Sequence, residues 1–202
     1  MRNQKVIAVS VAAEKLEINK NEAAVRLKIP RGFTDRNILR CEETLKKALS
    51  CKYAYIRVPV KFISDGICDI GFGNVESRDL CGALKGCAEA YIMGATIGIG
   101  ADRLISRLAV SSPAESFITD ALASAAAETL CEFADLSLRG NGIKPIRFSP
   151  GYGDLPLSCQ PDILDMLNAG YTLGITLNGS FLMTPMKSVT SVMGILSPES
   201  GE

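Results

Sequence analysis

The sequence predicts an α+β fold: one domain over residues 1–202, with a mainly antiparallel sheet packed against several helices. Three observations carry this. Helix start and stop signals recur between short strand-like runs, most of which do not alternate apolar and polar residues. The dipeptide Asn178-Gly179 sits between two strand-like runs, as in a hairpin. No linker-like stretch or internal repeat divides the 202 residues, a length that buries roughly two thirds of the surface its unfolded chain exposes.

In chain order, Asn19 and Asn21 cap a short helix through Leu27, ended by Pro30-Arg31-Gly32. Thr34 or Asp35 caps a second helix to about Leu49, with Ile38, Cys41, Leu45 and Leu49 on one face. Tyr53 to Phe62 reads as a strand, in which Pro59 argues for an edge or a strand end. Ile67 to Phe72 is a second strand after the Asp65-Gly66 turn, and Ser77 caps a helix through about Lys85. Ala88 to Ile99 is an apolar strand-like run. Ser112-Pro113-Ala114-Glu115 then opens a long helix to about Leu136, with a Ser cap, Pro at the first position and Glu three residues after the cap. Arg139-Gly140-Asn141-Gly142 ends it. Lys144 to Phe148 reads as a strand into the Pro150-Gly151-Tyr152-Gly153 turn, and Pro161 starts a helix ended near Gly170. The hairpin pairs Ile175-Thr176-Leu177 with Ser180-Phe181-Leu182-Met183, and Val189 to Leu196 is the last strand.

Composition excludes several classes of function. With no histidine there is no Ser-His or Cys-His nucleophile pair, no imidazole metal ligand, and no side chain that titrates near neutrality unperturbed. Lys plus Arg is 22 and Asp plus Glu is 22, so no positive excess serves a nucleic-acid face. The absence of tryptophan leaves little for a base-stacking platform. Seven cysteines without a C-x-x-C pair suit free thiols in a reducing cytoplasm better than a zinc site. Met1 to Ala13 lacks a secretion signal, and the uncharged stretch Met166 to Met186 holds Asn, Pro, Thr and Gly, so neither export nor a membrane span is expected.

Three segments are candidates for chemistry. Gly94 to Arg103 offers glycines after an apolar run, but from Gly98 the third glycine of G-x-G-x-x-G is replaced by Arg103, so the glycines serve either a phosphate or close packing. In the long helix, at about 100° per residue, Phe117, Ile118, Ala121, Leu122, Ala125, Thr129, Phe133 and Leu136 form one stripe. Glu128 falls at its edge and Glu132 within it. A desolvated carboxylate needs a cation or donor, so these side chains either reach solvent or meet a partner. The third segment is Arg147-Phe148-Ser149-Pro150-Gly151-Tyr152-Gly153. Its arginine suits a carboxylate, its turn lets backbone approach a ligand, and Tyr152 can cover a flat surface, unless the whole is a surface loop.

Arg147-x-x-x-Gly151-Tyr152, followed by Leu177-Asn-Gly-Ser180-Phe181-Leu-Met183-x-Pro185-x-x-Ser188-Val189, resembles the reactivation domain of cobalamin-dependent methionine synthase, in its stand-alone form. Ala121-Leu-Ala-Ser-Ala-Ala-Ala-Glu128 aligns with that family's ligand-contacting helix. The similarity implies an S-adenosylmethionine site of Glu128, Arg147, Ser149, Gly151 and Tyr152, with Arg147 on the methionyl carboxylate and no catalytic side chain or metal ligand. It further implies a role as activation subunit: S-adenosylmethionine remethylates oxidised cobalamin held by a separate cobalamin-binding methionine synthase subunit, after an electron from a flavodoxin-like reductant. Asp154-Leu-Pro156-Leu-Ser-Cys159 departs from the Pro-x-His segment of the fused domains. Two other roles stay open: activation partner of a different corrinoid methyltransferase, or an ordinary S-adenosylmethionine-dependent methyltransferase built on the Gly94 segment.

Overall fold

A computed structural model describes residues 5–32, 35–138, 144 and 146–196. Four strands, β1 (Ile7–Val11), β2 (Cys51–Pro59), β6 (Cys87–Thr96) and β9 (Ser188–Leu196), form the main sheet in the order β1-β2-β6-β9, each pair antiparallel. The lack of apolar–polar alternation in β2, β6 and β9 has a direct cause: they are covered on both faces, whereas the edge strand β1 is mostly exposed. Tyr53, Tyr91, Met93, Ala95, Met193 and Ile195 join one core, whereas Ala54, Ile56, Val58, Ala90, Ile92 and Val192 join another. The first is roofed by α1 (Lys20–Leu27), α2 (Arg36–Ala48), α4 (Ile99–Ser111) and α5 (Pro113–Leu138), and α5 packs on the other three. The second takes α3 (Arg78–Ala83), α6 (Gln160–Met166), α7 (Ala169–Thr172) and the small sheet β3-β4-β5 (Lys61–Ser64, Ile67–Asp69, Asn74–Glu76).

Three of the expected caps form, whereas Asn21 lies inside α1, where its Oδ1 accepts the Gly32 amide. Asn19 accepts the amides of Asn21 and Glu22, Asp35 that of Ile38, and Ser77 that of Leu80. Thr34 and the stop signal Arg139 to Gly142 lie outside the described residues. The long helix runs to Leu138, and Glu115 pairs with Arg40 on α2. All seven cysteines are free.

Five expectations need correction. The run Tyr53 to Phe62 is two strands in two sheets, because Pro59, with no N–H to give, ends β2. The strand expected to Phe72 stops at Asp69, whose Oδ1 accepts the amides of Gly71 (2.8 Å) and Gly73 (3.3 Å) and turns the chain into β5. The helix from Pro161 breaks at Asn168, which adopts φ +46°, and a short second helix follows. β7 (Thr176–Leu177) and β8 (Met183–Thr184) do pair, but Asn178 Oδ1 accepts the amides of Ser180 and Leu182 and widens the loop beyond two residues. Of the strand expected over Lys144 to Phe148, the described residues meet β9 at the Lys144 amide and at an isolated bridge between Phe148 and Val192, while Pro145 lies outside the described residues.

The Gly94 to Arg103 segment is absorbed by packing. A Cβ on Gly100 would stand 2.2 Å from the Ala48 carbonyl oxygen, and Gly98, at φ +87°, lies against Ser50. These glycines let the start of α4 close on the end of α2 and the start of β2, beside a sheet whose pairs are all antiparallel. Asp102, in the first turn of α4, is buried and its Oδ2 accepts the Met186 amide at 2.7 Å.

Candidate functional site

Helix α5 presents Glu128, Cys131 and Asp135 at i, i+3 and i+7, a spacing that aligns side chains along one face. Across from them, the Phe148 bridge fixes the segment that carries Arg147. Arg147 Nη2 donates to Glu128 Oε2 at 3.2 Å, and its Nε lies 3.3 Å from Asp135 Oδ2. Nη1 is buried and makes no hydrogen bond. Burial works against the guanidinium charge, but Cys131, Asp135 and Glu128 outweigh it and hold the Arg147 pKa above its ordinary value. Beneath this pair, burial pushes the Cys131 thiol up to about 12, which leaves it an inert core residue.

The expected apolar stripe of α5 is rotated. Phe117, Phe133 and Leu136 are exposed, as is Glu132, while Ala121, Ala123, Ala125, Ala126, Ala127, Leu130, Cys131 and Ala134 are buried. Alanines, which allow neighbouring helices to approach, decide which side packs, so weighting by large side chains misplaces the face. Glu128 sits half-buried on the boundary, facing a cation. It also lines a small cavity of about 170 Å³ with Asn19, Glu22, Thr129 and Glu132.

A larger cavity of about 410 Å³ opens beside Ser149 and Pro150. Its other walls are Leu157 and Gln160 from the α6 region, Phe181 and Leu182 from the β7–β8 loop, Met183 from β8, and Met186 with Ser188, Val189 and Thr190 at the start of β9. Phe181 holds φ +60°, a conformation costly for a bulky side chain. The wall around Met186 is pinned from outside: Asp102 accepts the Met186 amide, and Lys187 Nζ meets Asp120 Oδ1 at 2.8 Å and Ser124 Oγ at 2.9 Å, both on α5. Gln160, fully buried, donates to Thr190 Oγ1 at 2.9 Å.

The five expected site residues therefore divide. Glu128 and Arg147 touch, Ser149 lines the larger cavity, and Gly151 and Tyr152 continue into a turn at its margin. Gly151 takes φ +84°, and its amide donates to Leu155 O at 2.9 Å, while the Tyr152 amide donates to Ser149 O at 3.0 Å. Those two donors are used inside the turn, so what it presents outward is the Tyr152 ring, 69% exposed and edge-on to Phe148. Sequence reasoning missed Asp135, although it stands two helical turns beyond Glu128. It also missed Gln160, Thr190 and Met186, which come together only through the sheet and loops.

Among the described residues no helix is long and apolar enough to cross a membrane. No protein-family model and no curated protein matches the chain. Among solved structures, the crystal structure of the MetH reactivation domain bound to AdoHcy aligns with 100% of this chain and 81% of its own, at a TM-score of 0.72 and 17% identity. The protein therefore has the fold of that reactivation domain, a mixed single domain of antiparallel sheets and several helices.

Proposed function

We propose that this protein is a cytoplasmic activation subunit that binds S-adenosylmethionine and presents it to cobalamin carried by a separate methionine synthase subunit, with a flavodoxin-like protein as electron donor. One observation carries the reading. Ser149 and Pro150 line one cavity of about 410 Å³ together with residues between Phe181 and Thr190, far away in sequence, and two residues before Ser149 stands Arg147, half-buried with an unused Nη1. The neighbour that shares this fold is bound to AdoHcy.

The donor set fits such a ligand. The free N–H groups of Arg147 suit a carboxylate, the partly exposed Glu128 suits an ammonium group, and the apolar walls suit the less polar remainder. S-adenosylmethionine supplies an electrophilic methyl group on a sulfonium. The chain's own part is to bind and orient: Arg147 anchors, Glu128 and Asp135 hold the guanidinium, and Ser149, Gly151 and Tyr152 shape the margin. No side chain has to move a proton, in keeping with a sequence that lacks histidine.

Calorimetric titration of the purified protein with S-adenosylmethionine tests the site, with saturable binding expected. Restoration of methyl transfer in an oxidised, cobalamin-loaded methionine synthase subunit tests the partner. Restoration of another corrinoid protein instead assigns the chain to that system.

A further inference from the structure

The turn that bears Gly151 and Tyr152 is joined to α3 by two aspartates, each of whose carboxylates accepts the other's backbone amide. Asp154 Oδ2 accepts the Arg78 amide at 2.8 Å, and its Oδ1 accepts the Asp79 amide at 3.2 Å and the Ser77 hydroxyl. Ser77 Oγ in turn accepts the Leu80 amide at 3.0 Å, so Asp154 and Ser77 together satisfy the first turn of α3. In return Asp79 Oδ2 accepts the Asp154 amide at 3.3 Å. Gly153, at φ +54°, lets the backbone come this close: a Cβ there would stand 2.3 Å from Asp79 Oδ2.

None of these groups lines the larger cavity, yet they anchor the chain directly after Tyr152. The segment from Arg147 is otherwise fastened to the main sheet by the Phe148 bridge, and Gly151 bonds only within its own turn. We propose that Asp154 is a positioning residue: its reciprocal clamp with Asp79 sets the Gly151–Tyr152 turn in the conformation that receives the ligand. The inference rests on the S-adenosylmethionine reading and adds to it a residue that touches no ligand. It also gives α3, on the other side of the clamp, a role in holding the ligand turn.

The test uses the full chain, with S-adenosylhomocysteine as the probe. In Asp154→Ala, amide hydrogen exchange at Gly151 and Tyr152 accelerates without ligand, while exchange at Phe148 and Val192 keeps its wild-type rate. Affinity for S-adenosylhomocysteine falls by roughly tenfold, the scale on which a lost cap acts. Asp154→Asn, which keeps one carbonyl acceptor, recovers part of both effects, a rescue that general destabilisation does not produce. Wild-type exchange at Gly151 and Tyr152 in a folded Asp154→Ala protein overturns the inference. So does a loosened turn with undiminished affinity. Should Asp154→Ala fail to fold, Gly153→Ala with Asp79→Ala reads the same clamp from its other side, under the same two criteria. A wild-type protein that does not bind the probe refutes the functional reading, and the ligand part of the inference with it, before any variant is made.

Discussion

The two ends of the Arg147–Tyr152 segment are held by opposite means. At the Arg147 end the side chain is 22% exposed and gripped by carboxylates on α5, while its backbone is tied to β9 through the neighbouring Phe148. At the Tyr152 end the ring is 69% exposed, and order comes from backbone: positive-φ glycines at 151 and 153 and hydrogen bonds to α3. One end is built for strength through desolvated charge, the other for shape through hydrogen-bonded turns. The difference teaches that one six-residue segment can be ordered by charge at one end and by backbone at the other, so that each end can be disturbed without the other.

The largest effect is expected at the charged end. Arg147→Ala lowers S-adenosylmethionine affinity by about 2–5 kcal/mol, the scale for truncating one partner of a buried charge pair, and calorimetry reads it. Unchanged affinity removes the site assignment. At the turn, Gly153→Ala costs about 1–2 kcal/mol of stability by denaturant unfolding, because alanine is strained at φ +54° and Asp79 must swing away. A neutral result there denies the backbone character of that end. Glu128→Gln is milder, about 0.5–1 kcal/mol of stability, since Glu128 is 44% exposed, its pair with Arg147 is screened, and Asp135 still holds the guanidinium.

The smallest effect separates the ends by pH. The Ser77 hydroxyl, then the Arg78 and Asp79 amides, hold the Asp154 carboxyl below its usual value. A carboxyl whose folded pKa is depressed contributes above its unfolded pKa, about 3.9, and loses that contribution as pH falls through the lower folded value. Protection of the Gly151 and Tyr152 amides is thus constant from neutral pH down to about 4 and is lost only in stronger acid. Loss near pH 6 contradicts the clamp.

How much of this was legible in the sequence depended on how local each cause is. The caps at Asn19, Asp35 and Ser77 were readable because a cap is decided within four residues. The start of α5 was readable from Ser112-Pro113 for the same reason. The facing of Glu128 was half readable: its position at the edge of an apolar stripe was informative, but α5 packs by alanines, so Phe133 and Leu136 proved exposed and Glu132 lay outside the buried face. Breaks made by side chains folding back on the backbone, at Asp69 and Asn178, were not readable, since both residues also fit ordinary turns. The larger cavity was least legible, because Gln160, Phe181 and Thr190 meet only after β9 has crossed the sheet to its edge. The clamp was hidden differently: nothing near Asp154 in sequence names α3 as its partner.

The described residues between Lys144 and Phe148 hold to β9 by few bonds. The described backbone bonds there are the Lys144 amide to Gly194 and the two bonds of the Phe148–Val192 bridge, against a β9–β6 ladder that is regular from Glu89 to Thr96. In a hierarchy of openings this strip detaches at lower free energy than the sheet it leans on. A ligand gripped by Arg147 would then act as a rivet, closing the seam where the protein's own stitching is sparse.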